Sequence, residues 1–363
     1  MSDEKLMILR MMKDGKITEE EAMKLLDAIG ENEKYKSKEP KDFDEIENNF
    51  VDKLTNSIDK VIRKTSEAIS SIDFDDIATG FTTGFSKYRA KAERSFTMDI
   101  KDIENPSIDI ANKNGKIQVF QWDNDFIELR GKILYDDKLI SANNDFLKIE
   151  KKDDVIFIYP DYDNNGSKAF SAEIAVAVPR KKYKNFSAKS QNGSIEGSYI
   201  ESENIVLEST NGKIYANNLR GNDIKLHSTN ATIEAISTEG DDLEIRSSNG
   251  KIIVNGVYVQ NTEVNTSNGR VEIQDISSLA KSINANTTNG SMKINVSNVM
   301  MPIKVSISKL NKYTNSANLS NRFTSILNDD SNLTAFTDGF KEEDERALRI
   351  IGSTTNGSIN IDG

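Results

Sequence analysis

Residues 205–214 read Ile-Val-Leu-Glu-Ser-Thr-Asn-Gly-Lys-Ile, and the chain then nearly repeats itself. Residues 224–233 are Ile-Lys-Leu-His-Ser-Thr-Asn-Ala-Thr-Ile, and 243–252 are Leu-Glu-Ile-Arg-Ser-Ser-Asn-Gly-Lys-Ile. The same unit is centred on Asn192-Gly193, Asn211-Gly212, Asn230-Ala231, Asn249-Gly250, Asn268-Gly269 and Asn289-Gly290, at spacings of 19, 19, 19, 19 and 21 residues. A fixed period near 20 residues marks a repeat architecture. Six residues before each Asn stand Phe186, Ile205, Ile224, Leu243, Thr262 and Ile283. Three after stand Ile195, Ile214, Ile233, Ile252, Val271 and Met292, and two before stand only Ser or Thr. Alternation with period two on both sides of the Asn predicts two half-buried strands per repeat.

The Asn-Gly pairs are the expected corners, because a sharp turn needs positive φ, which Gly adopts freely and Asn tolerates. Stacked Asn amides at such corners can also hydrogen-bond from one repeat to the next. Spacing alone allows either isolated type I′ hairpins or parallel rungs of a β-solenoid. Parallel rungs are preferred here, since near-identical repeats suit near-identical neighbours. The register extends to Asn114-Gly115 and Asn356-Gly357, expected as the first and last rungs, with 346–363 capping the stack. Between these and the array lie two insertions. The first, 126–185, predicts strands near 126–134, 145–150, 155–159 and 172–178; the second, 298–345, predicts one strand near 303–307 followed by a polar stretch.

Upstream the pattern is helical. Leu6, Leu9 and Met12 form a stripe closed by Gly15, and Thr18 with Glu21 makes a capping box before Ala22, Leu25, Leu26 and Ile29. Residues 1–30 therefore predict a helical hairpin. A charged linker with Pro40 follows at 31–43. Residues 44–95 predict an amphipathic helical connector, with Phe43, Ile46, Phe50, Leu54 and Ile58 on one stripe and Lys87, Arg89, Lys91 and Arg94 at its end. That stripe suits self-association or docking on the next domain, with peripheral contact to an anionic membrane as the alternative. The strand-repeat domain is expected from 96 to 363, making the fold class mostly β.

Composition narrows the function. The 363 residues carry 47 Lys and Arg against 58 Asp and Glu, a net charge of −11, which opposes a dedicated nucleic-acid binder. There is no Cys, so thiolate nucleophiles and Cys-ligated zinc are excluded, and the single His227 excludes a two-His metal site. No apolar stretch is long enough for a membrane-spanning helix, and the acidic N-terminus does not read as a secretory signal, so the expected compartment is the cytoplasm. No cofactor is expected. The outward column Glu196, Tyr215, Glu234, Ile253, Glu272 and Lys293 places acids two rungs apart, too loose for a calcium cage. Beside it runs a weakly basic row, Ser194, Lys213, Thr232, Lys251, Arg270 and Ser291, which could meet an anionic polymer. The run Asp161-Tyr162-Asp163-Asn164-Asn165-Gly166 imitates the opening of an EF-hand loop, but position twelve is Ala172, and a turn is the better reading.

Together the motif Leu9…Gly15-Lys16-Ile17-Thr18-Glu19-Glu20-Glu21-Ala22…Leu25-Leu26 and the serial Ser/Thr-x-Asn-Gly-x-Ile resemble the bacterial "putative adhesin" β-strand-repeat proteins of the YvlB and LiaX type. Those carry a short N-terminal helical, SHOCT-like domain before the strand repeats. The resemblance implies a non-enzymatic role in the cell-envelope stress response, and the N-terminal hairpin is the segment expected to meet a protein partner. It brings no catalytic residues. A polysaccharide-binding or polysaccharide-degrading solenoid, or a surface-displayed adhesin, are the rival readings.

Overall fold

The computed structural model describes residues 90–162, 170–308, 315–329 and 331–363. The hairpin expected at 1–30, the linker at 31–43 and the connector as far as residue 89 lie outside them. Among the described residues every element is a strand: β1 (Ala90–Asp99), β2 (Ser107–Asn112), β3 (Ile117–Trp122), β4 (Phe126–Tyr135), β5 (Leu147–Lys152), β6 (Val155–Pro160) and β7 (Phe170–Pro179). The central array follows as β8 (Tyr183–Ser190), β9 (Ile195–Ser198), β10 (Ser202–Ser209), β11 (Ile214–Ser228), β12 (Ile233–Ser247), β13 (Ile252–Thr266), β14 (Val271–Ile276), β15 (Ser282–Asn289) and β16 (Met292–Asn295). The chain ends in β17 (Ile303–Ser308), β18 (Asn315–Leu319), β19 (Phe323–Asn328), β20 (Leu333–Thr337) and β21 (Leu348–Asp362).

The array is a solenoid-like stack of parallel pairings. Ile214 of β11 pairs with Ile233 of β12, which pairs with Ile252 of β13, and Ile224 pairs with Leu243 in the same register. Each residue therefore sits over its counterpart one repeat away. The six-before column is stacked into the core, with Phe186, Ile205, Ile224, Leu243, Ile283 and Ile350 all buried. Each such side chain contributes about 1.5–3 kcal/mol by leaving water. Thr262 occupies the same column, equally buried, and its hydroxyl has no hydrogen-bond partner.

The corners depart from expectation in their cause. Positive φ is found at Gly115 and Gly357 but at none of the corner Asn residues, nor at Gly193, Gly212, Gly250, Gly269 or Gly290. What demands Gly there is proximity. A Cβ on Gly193 would lie 1.8 Å from the carbonyl oxygen of Gly115, and one on Gly250 would lie 2.0 Å from that of Ala231. In the five rungs from Asn192 to Asn268, left-handed residues form a second corner seven positions after the Asn: Tyr199, Asn218, Ser237, Gly256 and Asp275, with φ between 52° and 78°.

Both ends are built by splicing rather than by simple order. β2 and β3 lie between β8/β9 on one side and β6/β7 on the other, all parallel. Antiparallel β5 then covers β6, β4 covers β7, and β1 covers β4. At the other end β21 is inserted between β15/β16 and β17/β18, with β20 and then β19 added antiparallel. The rungs of Asn114 and Asn356 are thus interior, correcting the expectation that they are first and last. Antiparallel strands end the stack because a bare parallel rung would expose its core and a row of unpaired amides.

Two boundaries also move. The end of the connector expected to be helical, 90–95, is part of β1, so the strand domain begins before residue 96 and Lys91 and Arg94 sit on a strand. Alternation in Ala90–Asp99 drives this, with Ala90, Ala92, Phe96 and Met98 packed against the core. The polar stretch after 307 holds β18, β19 and β20, anchored by buried Phe323, Leu333 and Ala335.

Candidate functional site: an axial hydroxyl-lined groove

The eight corner Asn residues come together in one column. Asn192 donates its side-chain amide to the Oδ1 of Asn114, Asn211 to Asn192, Asn230 to Asn211 and Asn249 to Asn230, at 2.8–2.9 Å. Asn268, Asn289 and Asn356 continue the chain of donors at 2.7–2.9 Å. From Asn211 onward the Ser or Thr two positions earlier locks each corner to the previous one, whereas Ser190 Oγ, before Asn192, is buried without a partner. Ser209 Oγ accepts from the amide of Gly212 at 2.9 Å and donates to the carbonyl of Gly193 at 3.0 Å. Ser247, Thr266, Thr287 and Thr354 donate likewise to the corner below, at 3.0–3.1 Å. At Ala231, the one corner without Gly, the two bonds of Ser228 are longer, at 3.2 and 3.4 Å, while the Asn230 ladder bond stays at 2.8 Å. Asn112 replaces the hydroxyl in the Asn114 rung and donates to the carbonyls of Gly115 and Ala172. Asn and Gly at the corners are therefore architectural.

The outward charges on the following face are consumed in pairs. Lys116 meets Glu196 at 2.7 Å, Lys213 meets Glu234 at 2.7 Å and Lys251 meets Glu272 at 2.6 Å, each base bridging to the acid of the next rung. Arg270 adds a second contact to Glu272 at 2.8 Å. The expected basic row is thus neutralised by the acidic column beside it, and no free cationic track for an anionic polymer is formed there. Burial, together with flanking Glu234 and Glu196, pushes the phenol of Tyr215 up, so it stays neutral. Among the described residues no three His, Asp or Glu side chains are grouped as a metal cage requires. Of the EF-hand-like run, 163–166 lie outside the described residues; Asp161 pairs with Lys148 at 3.2 Å, and Tyr162 stacks on Phe170.

On the preceding face the structure forms a groove of about 620 Å³ running along the stack. Its floor is the locked hydroxyl column, Ser209, Ser228, Ser247, Thr266 and Thr287. One wall is the exposed column immediately before the Asn ladder: Thr210, Thr229, Ser248, Ser267, Thr288 and Thr355. The other wall carries Glu208, His227, Arg246, Asn265, Asn286 and Ser353. His227 joins a network, its Nε2 lying 2.9 Å from Glu244, which also meets Arg246 at 2.6 Å; Arg246 reaches Glu263 at 3.1 Å. Nothing in the sequence marks His227 as part of such a network. The Ser/Thr column two before each Asn was in view from the sequence, but the exposed column one before it was not singled out, and that the two bound a groove depends on the corner geometry.

Among the described residues no helix is long and apolar enough to cross a membrane. The chain is 23% identical over 223 residues to the Bacillus subtilis uncharacterized protein YvlB, covering 55% of this chain and 55% of that protein. It thus spans about half the length of that curated relative. Solved structures similar to it include a "putative adhesin" from Bacteroides fragilis, 14% identical with a TM-score of 0.38, covering 75% of this chain and 97% of that one. Another is a "putative lipid binding protein" from Parabacteroides distasonis, 16% identical with a TM-score of 0.32 and the same coverage, 75% and 97%. Residues 105–362 match the Toastrack DUF4097 family model, so the chain belongs to the Toastrack DUF4097 family.

Proposed function

We propose that this is a non-enzymatic binding scaffold of the bacterial cell-envelope stress response, acting in the cytoplasm or at the membrane periphery. Its solenoid of roughly 19-residue rungs presents a recognition face, and a helical, SHOCT-like hairpin at 1–30 docks on a protein partner. The segment 44–89 supplies either self-association or membrane contact. The observation that supports a scaffold best is the pairing of outward charges rung by rung: the ionisable side chains on the long faces hold one another rather than converging on a reacting centre. Photo-crosslinking the full chain in cells exposed to a membrane-active antimicrobial tests this. A partner captured by the full chain and lost on deleting 1–30 is the expected result; capture indifferent to both the stress and 1–30 overturns the docking role. The second reading, polysaccharide binding by a solenoid, draws on the groove beside the Asn ladder.

A further inference from the structure

We propose that the axial groove binds a linear, uncharged glycan chain lying along the stack, across the strands. The proposal develops the polysaccharide-binding reading and is independent of the stress-response role. Its first support is a regular array of exposed hydroxyls left free by the rest of the described protein. The side chains of Thr210, Thr229, Ser248, Ser267, Thr288 and Thr355 are exposed and make no hydrogen bond within the described residues. They recur once per rung at the strand spacing of about 4.8 Å, so the wall offers a hydroxyl periodically over roughly 24 Å. A volume of about 620 Å³ lies in the range of small-ligand sites.

The groove's chemistry then selects the ligand. Hydroxyls and amides both donate and accept, which suits a partner rich in hydroxyl or acetamido groups. The charges in the opposite wall are already matched. Glu208 pairs with Lys189 at 3.3 Å, and Arg246 lies between Glu244 and Glu263. An anionic chain would have to break those pairs, and the net charge of −11 opposes its approach. An acyl chain finds no apolar lining. An extended peptide cannot add to the sheet here, because the backbone groups of the floor strands are taken by neighbouring rungs. No Phe, Tyr or Trp ring lines the groove, so recognition is by hydrogen bonds rather than by stacking on a large aromatic face.

Calorimetry of the full chain tests this, with β-1,4-linked glucose and β-1,4-linked N-acetylglucosamine oligomers of increasing length and polygalacturonate as the anionic comparison. The expected result is binding of at least one neutral series that tightens with length and weakens about tenfold in Thr229→Val/Thr288→Val, two isosteric losses of a hydrogen bond. Melting of the variant should be unchanged. Should the double variant misfold, Ser248→Ala carries the same test with a smaller, about threefold, loss. No affinity for either neutral series, affinity for polygalacturonate alone, or undiminished binding by the folded variants would overturn the proposal.

Discussion

Thr262 stands where every neighbouring rung has an apolar side chain, and its buried hydroxyl is unpartnered. A buried hydroxyl without a partner loses its water and gains nothing in return, at a cost of about 1–3 kcal/mol. Thr262→Val keeps the shape and removes that cost, so the variant should be more stable by about 1 kcal/mol in urea unfolding. Gly250 presents the opposite case. Its replacement by Ala drives a methyl to within 2.0 Å of the Ala231 carbonyl, in a stack locked above and below. Overpacking of this kind costs about 1–3 kcal/mol, and a lowered melting temperature should report it. At Ala231 only the Ser228 bonds are longer, by a few tenths of an ångström, and the Asn230 ladder bond is unchanged.

Glu173 adds a pH dependence at the same scale. Burial raises its carboxyl from 4.5 to about 7 against the opposing pull of Lys116 and Lys132. The folded-state value exceeds the unfolded one, so the neutral acid is the form the fold prefers. Stability is therefore full below about 4.5 and declines as pH rises through 7. The group is part-exposed, so screening reduces the loss to about 1 kcal/mol. Glu173→Gln should gain that amount over the native chain at pH 8 and nothing at pH 4, measured by thermal melts.

Among the elements, the array strands were legible because each rung repeats the same inward columns, and one alignment on Asn exposes them all. The insertion strands β4 to β7 were legible from apolar alternation alone. The second corner was not, since Tyr199, Asn218, Ser237, Gly256 and Asp275 share a backbone conformation but no residue type. Nor was the splicing of β21, because Asn356 carries the ordinary corner motif and nothing in a rung's sequence says which rung lies beyond it. Strands β18 to β20 were hidden by their Asn, Ser and Thr content. The groove was half legible: the inner Ser/Thr column stands out in the alignment, while the outer one, at the next position and exposed, matters only once the corner sets it beside Glu208, His227 and Arg246. The interior place of β21 changes what a truncation should do. Removing 346–363 takes out the strand holding β17 and β18 to the array. Amide exchange should then lose protection across Ile303–Ser308 while Ile214–Ser228 stays protected. Retained protection at 303–308 would contradict the splice.

For the whole molecule, one continuous stack predicts that stability is carried by contacts between neighbouring rungs, however far apart they lie in sequence. The Asn ladder crosses the gap from Asn114 to Asn192 and that from Asn289 to Asn356 without a break. Asn284 of β15 and Ile351 of β21 are aligned partners on the outer face, and the chain has no native Cys. A thiol-bridging bimane, which joins only sulfurs in near contact, can therefore read the register directly. Asn284→Cys/Ile351→Cys should crosslink in nearly every folded molecule. Lys225→Cys/Ile351→Cys, in the same outward column but four rungs apart at about 19 Å, should not. Absent crosslinking of the first pair, or equal crosslinking of both, would contradict the parallel stack with its inserted final strand.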